Sequence, residues 1–142
     1  MDVVWPALVV EERLGALPAI AGGLVIEWPF VRAILATSWS RSAIATVVAN
    51  GVSAVLGLVA LPSLGALWEV TTADALYGRL SPARTEDVGM VVALLLAVSI
   101  NVAVETWVLV RGFGAKASWR TVGLLACANA LSVALAAFTR WA

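Results

Sequence analysis

The chain contains no histidine and a single cysteine, Cys127. Without histidine the usual zinc sites and His-ligated haem are excluded, and one thiol forms no internal disulfide. Charge is scarce as well: 13% of residues are Asp, Glu, Lys or Arg, against roughly 25% in a soluble domain. Nine basic and nine acidic residues cancel, so no positive field points to a phosphate backbone and nucleic acid is not an expected partner. Neither G-x-S-x-G nor H-E-x-x-H occurs. No catalytic residue, metal ligand or cofactor is therefore expected. What the chain has in abundance is apolar: 62% of its 142 residues are hydrophobic, and the mean hydropathy is +0.98. That composition predicts an all-α integral membrane protein.

A bilayer-spanning helix needs about 20 apolar residues. Ser42–Leu61 carries no charge, and Met90–Val110 is broken only by Ser99, Asn101 and Glu105. Thr121–Thr139 makes a third span, and Leu14–Val31, with Glu27 and Pro29 inside it, a fourth. Pro62-Ser63-Leu64-Gly65 reads as a helix end, and 71–89 as a solvated loop punctuated by Gly78 and Ser81-Pro82. The start of the chain lacks the positive n-region and small-residue site of a removed signal peptide, and residues 3–10 fit a short interfacial stretch.

Charge sets the direction. The connection between spans 1 and 2 holds Arg32 and Arg41, and that between spans 3 and 4 holds Arg111, Lys116 and Arg120, with no acid among them. Seven acids gather on the other side, Asp2, Glu11, Glu12, Glu69, Asp74, Glu86 and Asp87, with only Arg13, Arg79, Arg84 and Arg140 among the cations. The positive-inside rule makes the short loops cytoplasmic and both termini extracytoplasmic, in a multi-pass protein of the cell (inner) membrane. Trp28, Trp39, Trp107 and Trp119 fall near the basic ends and Trp5, Trp68 and Trp141 near the acidic ones, as interfacial indoles do.

The two halves resemble each other. Glu27-Trp-Pro-Phe-Val-Arg32 answers Glu105-Thr-Trp-Val-Leu-Val-Arg111, and Ala49-Asn50-Gly51-Val52-Ser53 answers Ala128-Asn129-Ala130-Leu131-Ser132. In both halves the second arginine, Arg41 or Arg120, precedes the asparagine by nine residues. The expectation is a single membrane domain over 1–142: a helical hairpin at about 12–57, an extracytoplasmic connection at about 62–89, and a second hairpin at about 90–136. Two spans return each hairpin to its starting side, so the hairpins are parallel repeats about an axis along the membrane normal, forming a compact four-helix bundle.

At ~1.5 Å of rise per residue, Glu27 lies roughly 8 Å below Arg32 and Asn50 about 13 Å below Arg41; Glu105 and Asn129 reach similar depths, about 9 and 13 Å. A carboxylate–amide hydrogen bond within each hairpin follows from those depths. Ser42, Thr46, Asn50, Ser53 and Gly57 form one stripe of span 2, and Thr121, Leu125, Asn129, Ser132 and Ala136 its counterpart in span 4. Asn101 shares a face with Glu105, where Gly23 shares one with Glu27. Gly22-Gly23 permits close helix approach. Cys127 is expected to pack as a small hydrophobe.

A charged acid at mid-bilayer costs roughly 2.5–3.5 kcal/mol on insertion scales, so Glu27 and Glu105 need a reason to be there. One reading makes Glu27, Asn50, Ser53, Asn101, Glu105, Asn129 and Ser132 a binding site for a cation, proton or small solute in a channel or transporter. The other makes them helix-pairing residues of a structural or assembly subunit, with each Glu anchoring Arg and Asn. Expected partners are the lipid bilayer and either further copies of the chain or other membrane subunits. A common hydrated cavity around the glutamates favours permeation; sealed, fully paired contacts favour the scaffold.

Overall fold

The computed structural model describes residues 17–68 and 82–138. They form four helices: α1 (Leu17–Leu35), α2 (Trp39–Trp68), α3 (Pro82–Phe113) and α4 (Trp119–Phe138), with no strand among the described residues. The stretch 3–10, Trp5, Trp141 and the segment 69–81 lie outside the described residues.

Two of the boundaries differ from expectation. Pro62 does not end α2, which continues to Trp68. Proline removes one intrahelical hydrogen bond without forbidding the next turn, and the Ser63 hydroxyl donates to the Val59 carbonyl at 2.8 Å in the same region. At the other side of the connection α3 begins at Pro82, so 82–89 is helical and not loop. A proline in the first turn is tolerated because its missing N–H would have no partner there.

The short turns after α1 and α3 are built differently. After α1, Ala36 adopts φ +47° and its N–H donates to the Arg32 carbonyl at 2.9 Å. After α3, Gly114 takes φ +76°, and the Ala115 N–H reaches back to the Leu109 carbonyl at 3.0 Å. Both bonds satisfy carbonyls that the last helical turn leaves open.

The helices pack as a ring, α1 on α2, α2 on α3, α3 on α4 and α4 on α1. Each helix packs more extensively against one from the other hairpin (α1 on α4, α2 on α3) than against its own hairpin partner. Gly22 explains how α1 approaches α4: a Cβ there would lie 2.7 Å from Leu135 Cδ2.

Polar and apolar side chains share the interior, while large apolar side chains lie on the outside. The interior contains Glu27, Ser42, Thr46, Ser53, Glu105, Thr121 and Asn129, together with Val31, Ala45, Ala49, Leu109 and Leu125. The outer surface carries Val25, Ile44, Val55, Leu58, Val59, Val91 and Leu95, each more than half exposed. Cys127 belongs to this outer surface and does not pack inside. Two helical stretches, Trp39–Leu64 and Val91–Phe113, are long and apolar enough to cross a membrane, and less than a third of either is buried. Trp119–Leu135 is apolar but shorter.

Candidate functional site

The polar stripe of α2 faces inward. Ser42, Thr46, Ser53 and Gly57 are buried and Asn50 is half-buried. On α4 the buried members are Thr121, Leu125 and Asn129, with Ser132 half-buried. Residues four and three apart share a helix face, so one inward orientation buries the whole series.

Glu27 and Glu105 meet these stripes at the middle of the bundle and are 3% and 1% exposed. Asn50 Nδ2 donates to Glu27 Oε2, and Asn129 Nδ2 donates to Glu105 Oε2 at 2.8 Å. Each amide's second hydrogen bond goes to its own helix, to the Thr46 carbonyl at 3.0 Å and to the Leu125 carbonyl at 3.1 Å. Both donors of each amide group are thereby used.

The serines join the two hairpins. Ser132 of α4 approaches the carboxylate of Glu27 on α1, and its hydroxyl is 3.5 Å from the Gly23 carbonyl. Ser53 of α2 approaches the carboxylate of Glu105 on α3. Their hydroxyls also bond along their own helices, Ser53 to the Asn50 carbonyl at 3.1 Å and Ser132 to the Ala128 carbonyl at 3.0 Å. Glu27 lies close enough to act on Glu105 electrostatically. Glu27, Asn50, Ser53, Glu105, Asn129 and Ser132 thus form one layer that touches all four helices. Asn101 stands one turn along α3 from Glu105, half-buried, and makes no hydrogen bond among the described residues.

The layer is not evenly satisfied. Glu105 Oε1 and Thr106 Oγ1 are buried without a hydrogen-bond partner. A buried polar atom in that state carries the desolvation penalty of its lost water, about 1–3 kcal/mol.

The arginines stay outside. Arg32 does not pair with Glu27; it is exposed, with its guanidinium 4.0 Å from the centre of the Trp39 ring. Arg41, Arg111 and Arg120 are exposed as well. Five residues of helix separate Glu27 from Arg32, about 140° of rotation, which points the two side chains to different faces. Among the described residues the glutamates meet Asn50 and Asn129, with Ser132 and Ser53 beside them, and not the arginines weighed from the sequence.

Trp28 has a part that an interfacial belt does not describe. Its Nε1 donates to Ser42 Oγ at 2.9 Å and to the Trp39 carbonyl at 3.1 Å. Its ring meets that of Trp39 edge-on at 5.2 Å. The only hint in the sequence is the contrast between Trp28 and Thr106, each directly following one of the two buried glutamates.

Chemically, the layer offers two carboxylates, hydroxyls and amide oxygens in a water-poor interior, a donor set suited to hard cations and protons. Among the described residues no group of three or more His, Cys, Asp or Glu side chains is arranged to hold a metal ion. Comparison of the chain with models of known protein families, with curated proteins and with solved structures finds no match.

Proposed function

We propose that the chain is a multi-pass protein of the cell membrane, with four spans arranged as two parallel-repeat hairpins and both termini extracytoplasmic. In this reading the Glu27–Glu105 layer takes up a proton or small monovalent cation in a channel- or transporter-like role.

The exposed apolar side chains and the buried polar ones support the membrane part. Val and Leu side chains facing outward and Glu, Asn, Ser and Thr facing inward suit hydrocarbon as the surrounding solvent, since lipid offers polar groups no partner. With 19 and 20 residues, α1 and α4 are about 28 and 30 Å long, close to the ~30 Å hydrocarbon thickness. The repeat is supported by the matching Glu–Asn bonds and by the alternation of larger and smaller helix contacts around the ring.

One observation carries the functional part: two buried carboxylates share a layer that no described cation enters. A buried charge is paired, bound to a cation or neutralised by a proton. Among the described residues Arg32, Arg41, Arg111, Lys116 and Arg120 are all exposed, and in this reading a proton or a small cation balances the layer.

Purified protein in liposomes, loaded with a pH-sensitive dye or assayed for sodium and potassium uptake, tests this. Flux above empty vesicles, abolished in an E27Q/E105Q variant of unchanged helicity, is the expected result. Wild-type vesicles no leakier than empty ones overturn it. A second reading, the structural or assembly subunit, is favoured by the buried glutamates and by asparagine amide groups whose N–H donors are both bonded. Under it the same double variant changes the unfolding midpoint and leaves ion movement at background.

A further inference from the structure

Outside the polar layer, a shallow groove runs between α1 and α2, lined by Leu24, Val25, Trp28, Ala43, Thr46 and Val47. Its two polar side chains are turned away from it. Thr46 Oγ1 donates to the Ser42 carbonyl at 2.9 Å, and Trp28 Nε1 is held by Ser42 and Trp39. The groove wall is thus carbon, fixed in place by inward hydrogen bonds. Leu24, Trp28 and Arg32 follow one another at steps of four on α1, so the exposed Arg32 lies one turn beyond Trp28 toward the same face, at the end of the groove. Ser40, three residues before Ala43 on α2, stands at the same mouth and is exposed. No acid occurs between Glu27 and Glu69 to compete for that arginine.

We infer that this groove binds an anionic phospholipid, with one acyl chain against Leu24, Val25, Trp28 and Val47 and the phosphate on Arg32. The inference rests on the membrane reading above and goes beyond it by naming a ligand class and one location. Charge complementarity selects the occupant. A carbon-lined wall at bilayer depth, capped by a cation where headgroups lie, fits an anionic lipid better than a zwitterionic lipid or an apolar helix. The stacking of Arg32 on Trp39 holds the guanidinium over the mouth while leaving its edge free to donate. The second hairpin differs at this face: Thr106 follows Glu105 where Trp28 follows Glu27, and Arg111 stands six residues after its glutamate where Arg32 stands five.

Native mass spectrometry of the detergent-solubilised protein, titrated with phosphatidylglycerol and with phosphatidylcholine of equal chain length, tests the site. Wild type retains phosphatidylglycerol preferentially. Arg32→Gln lowers that retention about fivefold, the equivalent of ~1 kcal/mol for one cation near an anionic surface. Ala43→Phe, which fills the groove, lowers retention of both lipids, and Arg111→Gln leaves the wild-type pattern. Circular dichroism confirms that each variant keeps its helices. Equal retention of the two lipids by wild type, or equal losses in Arg32→Gln and Arg111→Gln, overturns the site while leaving the membrane reading intact. Recovery of the wild-type protein in the aqueous fraction without detergent overturns both.

Discussion

At its basic end the first hairpin is clasped by Trp28, Trp39 and Ser42, with Arg32 stacked on the outside; at the matching place the second hairpin holds its turn by local bonds alone. There Thr121 Oγ1 donates to the Lys116 carbonyl at 2.7 Å and shares a 3.0 Å contact with Ser118, while Trp119 is 90% exposed. A one-residue shift accounts for the difference. Trp39 lies eleven positions before Asn50, and Trp119 ten before Asn129. One residue is about 100° of helix, enough to swing the indole from the partner helix to the outside. Deeper in the bundle the contrast reverses. Asn129 is 1% exposed where Asn50 is only half-buried, and Glu105 is the acid with an oxygen lacking a partner. The first hairpin is fastened at its end, and the second at its centre.

The largest effect that separates them is expected at the asparagines. Asn129→Ala leaves Glu105 without its amide donor and lowers stability by about 1–3 kcal/mol, measured by reversible denaturation in micelles; Asn50→Ala costs less, because Asn50 is half-buried where Asn129 is fully buried. Equal losses would break the contrast in depth. At the basic end, Trp28→Phe removes a donor serving two acceptors and is expected to cost about 1 kcal/mol. Thr106→Val, at the matching place, removes a buried hydroxyl with no partner and is expected to be neutral or stabilising by up to about 1 kcal/mol. A substantial loss in Thr106→Val would mean the hydroxyl has a partner after all. The turns give the smallest effects, of opposite sign. Gly114→Ala forces a Cβ into the left-handed region and costs about 1 kcal/mol, while Ala36→Gly relieves the same strain and gains about 0.5–1 kcal/mol. Thermal unfolding of the two variants side by side reads both signs.

The helix faces were legible in the sequence because helical periodicity survives any tertiary arrangement. Ser42, Thr46, Asn50 and Ser53 lie on one stripe whatever the neighbours are, and that stripe is the inward one. The pairing of Asn with Glu inside each hairpin was legible as well, since a short turn ties the depths of adjacent helices together. Contacts between hairpins were not. That Ser132 reaches Glu27 and Ser53 reaches Glu105 depends on which helix stands beside which, and no local pattern encodes that. The stacking of Arg32 was not legible for a related reason. Its depth relative to Glu27 was clear, but its stacking partner lies across the turn on α2. Pro62 illustrates the limit of punctuation signals, because neighbouring hydrogen bonds and packing carry a helix past a proline. Cys127 faces outward, and because a thiol packs as a small hydrophobe on any side of a helix, composition alone does not choose its face.

The central claim is that Glu27 and Glu105, on different hairpins, belong to a single layer. A double-mutant cycle of E27Q, E105Q and E27Q/E105Q, with unfolding free energies measured in the same lipid or micelle, tests it most directly. A shared layer predicts a coupling of at least about 0.5 kcal/mol between the two positions; additivity within about 0.3 kcal/mol would contradict it.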